Sequence, residues 1–343
     1  MSLNSEEILT LATSLLSEAG FHSKSLSISP IYQGGNNQLF HISNGMEDFI
    51  LKKYFSHKND LRKRLENEYK FLELAQDVAR PFIPLPLAKN LIEGVALYEF
   101  IRGDKLTKDT PISSDLIEQA ANFIYFLNKN TDSTHRDLPD ASEACFSIQS
   151  HINTIDQRLN QLIRSGSNKI EFRYLLQDIM KIWELTKVEI YESCSQNSIA
   201  IDRILLSNER ILSPSDFGFH NALILKNRMV KFVDFEYAGI DDPAKLICDF
   251  FNQVQIPVDK KLFQSFIEIA FRDRSDIKTL AVRSKILMNA YSIKWCSIVL
   301  NIFLPDNLER RLFSNPNLDK NYLLESQISK ARKILYGVTK KTA

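Results

Sequence analysis

Three oxygen-bearing side chains follow one another in the middle of the chain: Asp216, Asn221 five residues later, and Asp234 thirteen residues after that. Carboxylate and amide oxygens are hard ligands of the kind that Mg²⁺ binds. A carboxylate close to a hydroxyl group can orient that group for attack and accept its proton. Phosphoryl transfer to an alcohol needs both functions, so this spacing makes that chemistry a candidate.

The order of these residues resembles the catalytic segment of the protein-kinase fold, in which H-R-D-x-x-x-x-N is followed by D-F-G. The resemblance implies that Asp216 is the catalytic residue, and that Asn221 and Asp234 hold Mg²⁺. Each motif also has an ordinary explanation, because D-x-x-x-x-N arises by chance and D-F-E can be a strand end. The hypothesis therefore depends on an ATP-binding half upstream.

A turn between two predicted strands contains Gly34, Gly35 and Asn36. Glycine and asparagine tolerate positive φ and let backbone N–H groups approach a ligand closely. In a kinase-like fold this turn would lie over the ATP phosphates. Taken alone, the segment is more simply interpreted as a plain hairpin turn, and it is not a Walker loop because no G-K-[ST] follows.

An apolar, β-prone stretch runs into Lys52, as in the V-A-I-K strand of kinases. A lone buried ammonium group is costly, and the resemblance implies that its partners are the ATP phosphates and a helix glutamate. The helical spacing over residues 60–75 carries Glu66 and Glu68. We predict Glu68 as the partner, because apolar residues follow it, and we interpret Glu66 as a solvated charge. Lys53 should point to the opposite face of the strand.

A further strand ends near Gly103 and is predicted to enter a hinge at residues 99–104. In kinase-like proteins the backbone of this segment hydrogen-bonds adenine. The resemblance assigns the carbonyl of Glu99 and the amide of Ile101 to that contact.

Together these motifs resemble the aminoglycoside phosphotransferase and choline kinase family, the small-molecule branch of the kinase fold. The resemblance runs from about residue 28 to residue 250 and includes Val233-Asp-Phe-Glu-Tyr-Ala-Gly239. The family usually has H-G-D at the catalytic aspartate, whereas Pro214 occupies the histidine position here. That histidine supports the loop, so the chemistry can remain, although a weakened or redirected enzyme is an alternative. The resemblance also implies that Asp249 bonds the backbone of the catalytic loop.

The pattern of elements predicts an α+β, two-lobed protein-kinase-like fold. Residues 1–100 are predicted to form a small, β-rich, ATP-binding N-lobe. Residues 101–343 are predicted to form a larger, mostly helical catalytic and substrate lobe. A hairpin about Asn227-Arg228 should carry the catalytic residues.

Composition excludes several classes of protein. The 343 residues are 44% hydrophobic and 25% charged with a net charge of +1, which indicates a globular protein without a nucleic-acid-binding field. The four cysteines show no C-x-x-C spacing, as expected for reduced thiols in the cytoplasm. The start of the chain is acidic where a signal peptide would be basic, and no membrane span is predicted.

We therefore predict a small-molecule kinase that uses ATP and Mg²⁺ to phosphorylate a hydroxyl of a sugar, an amino alcohol or an aminoglycoside-like molecule. The alternative is a non-catalytic kinase-like module that binds a nucleotide or a partner protein. A pocket for a polycationic aminoglycoside should be rich in carboxylates, but residues 301–343 carry eight Lys or Arg against four Asp or Glu. The oligomeric state and the choice between ATP and GTP stay open.

Two further groups have alternatives. Asp241 and Asp242 fit either a cationic substrate group or a turn before Pro243. His220, beside Asn221, is predicted to make one structural hydrogen bond.

Overall fold

Strands with alternating apolar residues build an antiparallel sheet from the first part of the chain. A computed structural model describes residues 4–22, 25–32, 37–56, 63–129, 138–314 and 319–339. The five strands of the sheet lie in the order β1, β2, β3, β5, β4. They are β1 (Ser27–Ile31), β2 (Gln38–Ser43), β3 (Asp48–Lys53), β4 (Pro86–Asn90) and β5 (Val95–Glu99), accompanied by α1 (Ser5–Glu18) and α2 (Arg64–Ala79).

The core of this sheet lies on the face that α1 covers. Phe49 and Leu51 of β3 are buried there with Leu97 of β5 and with Leu15 and Leu16 of α1. Because side chains alternate along a strand, Lys52 points to the opposite face of β3. Lys52 is nevertheless buried, at 5% exposure, so that face must supply partners for its charge.

A three-stranded sheet contains the predicted hairpin. It is formed by β6 (Gly103–Lys105), β8 (Ala222–Leu225) and β9 (Val230–Phe232), with β8 in the middle. The strands β8 and β9 pair antiparallel, and Arg228 in the turn has a φ of 66°. The hairpin therefore forms where the sequence predicts it.

The rest of the chain is mostly helical. Its helices are α3 (Ser114–Asn128), α4 (Ile148–Arg164), α5 (Ile170–Gln196), α6 (Pro243–Asn252), α7 (Phe263–Ala270), α8 (Ile277–Leu300), α9 (Pro305–Ser314) and α10 (Lys320–Thr339). A two-stranded antiparallel sheet pairs β7 (Ile211–Ser213) with β10 (Gly239–Asp241). Helix α8 packs against α4, α5, α6 and α10.

Helix α8 with the turn after it, Ile277–Phe303, is long and apolar enough to cross a membrane, judged by length and composition alone. However, 67% of its most apolar 18-residue stretch is buried inside the protein. That burial is typical of a core helix. Arg283, Lys285 and Lys294 interrupt the apolar residues, so the sequence shows no continuous apolar run here.

The contacts of the chain divide it into two units. Unit 1 consists of residues 1–105, 221–238 and 309–318, and unit 2 consists of residues 106–220, 239–308 and 319–343. The hairpin β8–β9 thus belongs to unit 1 with the large sheet. A single division at residue 100, with its assigned roles, stays a prediction.

Candidate active site

Lys52 lies at the centre of a buried charge cluster in unit 1. Its Nζ atom is 2.6 Å from Oε2 of Glu68 on α2 and 2.6 Å from Oδ1 of Asp234. Burial alone would lower the pKa of Lys52, but the charges of Asp234 and Glu68 raise it well above its usual value. The lysine is therefore a fixed positive charge between two predicted site residues.

Glu68 holds several parts of unit 1 together. Its Oε2 atom also accepts a hydrogen bond of 2.6 Å from the Tyr54 hydroxyl, which lies 2.6 Å from the hydroxyl of Tyr98. Its Oε1 atom accepts the backbone N–H of Phe235 at 3.2 Å. Because that amide directly follows Asp234, the helix glutamate orients both the lysine and the D-F-E segment.

The two adjacent lysines allow a direct test of this arrangement. Lys52→Ala should lower kcat/KM for ATP by about 10- to 100-fold, the range for losing a hydrogen bond from a charged group. Lys53 donates instead to the Glu93 carbonyl at the end of the strand, so Lys53→Ala should change stability by less than about 0.5 kcal/mol and leave ATP use intact. Steady-state kinetics with varied ATP will compare them, and greater damage from Lys53→Ala would contradict the assignment.

Asn221 and Asp234 flank the open end of the β8–β9 hairpin. The backbone N–H of Val233 donates to the Asn221 carbonyl at 2.8 Å, which holds the two segments side by side. Asp234 has a φ of 69°, in the left-handed region that non-glycine residues seldom adopt. Backbone strain of this kind concentrates at functional sites.

The chemistry of these two side chains fits Mg²⁺. Among the described residues no group of three or more His, Cys, Asp or Glu side chains could hold a metal ion. Mg²⁺ does not require one, because it is usually bound by one or two protein oxygens together with substrate phosphates and water. Burial raises the pKa of Asp234 to about 6 against the opposing charge of Lys52. Its side chain is 34% exposed, so one carboxylate can bind Lys52 and still face solvent.

Glu236, the second acid of the D-F-E segment, is fully enclosed. Its Oε1 atom accepts from Arg64 at 2.6 Å and its Oε2 atom accepts from Asn37 at 2.7 Å. Burial opposes ionisation, but the charges of Lys52 and Arg64 keep the pKa of Glu236 below its usual value. Glu236 is thus a buried anion that ties the start of β2 and the start of α2 to the D-F-E segment.

Asp216 lies in unit 2, on the loop that follows β7. Ser215, directly before it, occupies the position of glycine in H-G-D and has a φ of 64°. The Ser215 side chain accepts a hydrogen bond of 3.2 Å from Lys245, and its backbone N–H donates to the Ser213 hydroxyl at 3.0 Å. On the other side of Asp216, His220 Nε2 lies 3.1 Å from the Asp216 carboxylate.

Lys245 belongs to a buried network in unit 2. Its Nζ atom is 2.7 Å from Asp241 and 3.7 Å from Asp249, and both Lys245 and Asp241 are at most 1% exposed. The carboxylate of Asp249 accepts from Lys294 at 3.0 Å and from the Trp295 ring N–H at 3.0 Å. Lys245 joins this network to the loop through the Ser215 side chain, and a bond from Asp249 to the loop backbone stays a prediction.

The acidic pair before Pro243 also has internal partners in this network. Asp242 caps α6 by accepting the Ala244 N–H at 2.7 Å, and it binds Arg283 at 2.6 Å. Asp241 and Asp242 are both fully buried. These contacts favour the helix start at Pro243 over a cationic substrate group.

Lys245→Met should destabilise the protein by about 3–5 kcal/mol at pH 8, because it leaves Asp241 as a buried charge without compensation. Burial already raises the pKa of Asp241 to about 6 although Lys245 opposes this, and loss of Lys245 raises it further. A folded-state pKa above the unfolded value disfavours folding of the ionised form, so the loss should shrink at pH 5, where Asp241 is protonated. Urea unfolding at both pH values measures the effect, and Asp241→Asn should recover part of it. An equal loss at both values would contradict this explanation.

Comparison with solved structures identifies the fold. The chain is similar to choline kinase from Cryptosporidium parvum Iowa II, with 15% identity and a TM-score of 0.62 over 98% of both chains. It is similar to Plasmodium vivax ethanolamine kinase, with 14% identity and a TM-score of 0.61 over 98% of this chain and 93% of that one. A spectinomycin phosphotransferase in complex with ADP and spectinomycin matches with 12% identity and a TM-score of 0.60 over 97% and 99% of the two chains.

The chain has the choline kinase and aminoglycoside phosphotransferase fold. No protein-family model and no curated protein sequence matches it. The α+β, two-lobed, protein-kinase-like fold predicted from the sequence is confirmed.

The structure describes some of the remaining predicted site residues and not others. Glu99 ends β5, where its N–H donates to the Leu85 carbonyl at 2.9 Å, and the Ile101 carbonyl accepts from Gly103 at 3.0 Å. Their contact with adenine stays a prediction. Glu66 is exposed and lies 3.2 Å from Lys63, as expected for a solvated charge. The predicted phosphate-binding residues Gly34, Gly35 and Asn36 lie outside the described residues.

Sequence reasoning missed several residues that contact the predicted site residues or their neighbours. Arg64 and Asn37 reach Glu236 across 172 and 199 residues of chain. Asn37 adjoins the predicted glycine turn, and Glu236 belongs to the D-F-E motif, so a sequence motif lies at or beside both residues. No sequence motif indicates Tyr54 or Lys245, because their contacts depend on tertiary neighbours alone.

Proposed function

We propose that this protein is a small-molecule kinase that uses ATP and Mg²⁺ to phosphorylate a hydroxyl group. The observation that carries the proposal is the placement of Lys52 at 2.6 Å from both Glu68 and Asp234. A buried lysine between a helix glutamate and the aspartate of a D-F-x segment is the arrangement that kinases use to bind ATP phosphates.

Each predicted residue would have a distinct role in the reaction. Lys52, oriented by Glu68, would bind the ATP phosphates, and Asn221 and Asp234 would hold Mg²⁺. When bound, Mg²⁺ supplies positive charge that offsets the charge developing on the phosphates. Asp216 would accept the proton that the acceptor hydroxyl loses as its oxygen bonds to the γ-phosphorus and the bond to ADP breaks.

The similar solved structures support a hydroxyl acceptor of small size. They are of a choline kinase, an ethanolamine kinase and a spectinomycin phosphotransferase, the last in complex with ADP. A sugar, an amino alcohol and an aminoglycoside-like molecule are the acceptor classes to compare. Action in the cytoplasm is part of the same proposal.

A non-catalytic kinase-like module is the competing function, and Pro214 is the residue that favours it. The loop around Pro214 nevertheless has its own supports, because Lys245 binds Ser215 and His220 contacts Asp216. A module that only binds a partner would have no use for Asp216, Asn221 and Asp234 together. The supports of the loop and the presence of all three side chains favour the catalytic function.

Nucleotide binding followed by turnover separates the two functions. Calorimetry with ATP and with GTP, each with and without Mg²⁺, should show binding that Mg²⁺ strengthens. A panel of hydroxylated metabolites, followed by ADP formation, should then identify an acceptor that accelerates ATP consumption. Binding without acceptor-stimulated turnover would support a non-catalytic module that binds a nucleotide. Absence of nucleotide binding would contradict the kinase and leave the module that binds a partner protein.

A further inference from the structure

His220 is buried against the predicted catalytic carboxylate. Its side chain is 5% exposed, while the side chain of Asp216 is 36% exposed. The Nε2 atom lies 3.1 Å from Asp216 Oδ1. An ionised carboxylate only accepts hydrogen bonds, so Nε2 must carry the proton and donate it.

The second ring nitrogen of His220 adds to this picture. Nδ1 is buried and has no hydrogen-bond partner among the described residues. Among the described residues, the hydrogen bond of this imidazole is therefore the one to Asp216. A ring that only filled space would not need that donor, since an apolar side chain fills a buried position at lower cost.

Gly218 makes room for this ring. A methyl group at Gly218 would lie 2.7 Å from His220 Nδ1 and 3.1 Å from Gln253 Cγ. Contacts below 3.0 Å are too close for a real Cβ atom, so the ring would have to move. The glycine thus permits the position that brings Nε2 to Asp216.

We propose that His220 is a positioning residue for phosphoryl transfer, resting on the function proposed above. Asp216 sits on a loop with Pro214 at the usual histidine position and Ser215 in the left-handed region. Its side chain is partly exposed. The Nε2–H donor restrains Oδ1, so the carboxylate keeps one orientation toward the acceptor hydroxyl.

The test compares single and double variants in acceptor-dependent turnover. His220→Ala should lower kcat by about 10- to 100-fold, as expected when an orienting hydrogen-bond partner of a site residue is removed. KM for ATP should stay within about twofold of the wild-type value, because ATP binding is not expected to depend on the contact between His220 and Asp216. His220→Gln, which keeps a side-chain N–H donor, should recover most of kcat. His22→Ala, at an exposed histidine, is the matched control and should behave as wild type.

Gly218→Ala provides independent support within the same experiment. It should lower kcat by about tenfold in the wild-type background and have no further effect on His220→Ala, since the two changes act through one ring. Circular dichroism and thermal unfolding of each variant check that it is folded. Additive losses would overturn the inference.

Selective ¹⁵N-histidine labelling gives a readout that does not depend on activity. His220 should show the Nε2–H tautomer, and its ring resonances should shift in Asp216→Ala but not when Asp259, on a separate surface turn, is replaced by Ala. The opposite tautomer, or full kcat in His220→Ala alongside active wild type, would overturn the inference alone. Absence of transfer by wild-type protein to every acceptor would overturn the proposed function and the role of His220 with it.

Discussion

Asp216→Asn is expected to lower kcat for phosphoryl transfer by about 10²–10⁴-fold, the contribution typical of a general base that also positions its substrate. The amide has nearly the shape of the carboxylate but cannot accept the hydroxyl proton. ATP affinity should stay within a few-fold, because Asp216 is expected to act on the acceptor hydroxyl and Lys52, Glu68 and Asp234 on the nucleotide. Turnover and ATP calorimetry on the same preparation measure both quantities.

Ser215→Ala is the control for local disturbance of that loop. It removes the hydroxyl that Lys245 binds but keeps the Asp216 carboxylate, so it should retain far more activity than Asp216→Asn. Near wild-type turnover of Asp216→Asn with the true acceptor would remove Asp216 from the mechanism.

Asp234→Ala is expected to abolish the increase in ATP affinity that Mg²⁺ causes in the wild type. The carboxylate is the one charged oxygen ligand in the predicted metal pair, and Asn221 alone supplies a neutral oxygen. Turnover should fall by about 10²-fold or more, because the metal contributes several kcal/mol of charge stabilisation in phosphoryl transfer. Calorimetry of ATP with and without Mg²⁺ is the measurement, and equal enhancement in mutant and wild type would exclude Asp234 as a ligand.

The same enhancement should depend on pH in the wild-type protein. Burial raises the pKa of Asp234 to about 6, so the carboxylate is largely protonated below that value and ionised above it. A metal ligand must be deprotonated. The Mg²⁺ effect on ATP affinity should therefore be full at pH 8 and fall as the pH drops through about 6, whereas Asp234→Ala should show no such dependence.

The pairing of Lys52 with Glu68 shows what local patterns can predict. The resemblance to the V-A-I-K strand selects Lys52, and strand alternation then places Lys53 on the opposite face. The apolar residues that follow Glu68 select it over Glu66. Both choices agree with the observed contacts. Short-range periodicity carries this information, because the face of each element follows from positions only a few residues apart.

The supports around the site could not be predicted in the same way. The bond from Lys245 to Ser215 and that from Arg64 to Glu236 join elements whose relative placement only the fold determines. The family resemblance implies a role for Asp249 at the loop but gives no indication of Lys245. Buried ion pairs of this kind depend on three-dimensional neighbours, and no periodic pattern records them.

The most direct test of the kinase function is detection of the phosphorylated acceptor itself. Protein, ATP, Mg²⁺ and the acceptor found by the metabolite panel would be followed by ³¹P NMR, with Asp216→Asn as the matched control. The proposed function predicts a new phosphate monoester resonance that grows as the γ-phosphate signal decreases, in wild type and not in the mutant. Release of inorganic phosphate without a monoester, or monoester formation at the same rate in Asp216→Asn, would contradict it.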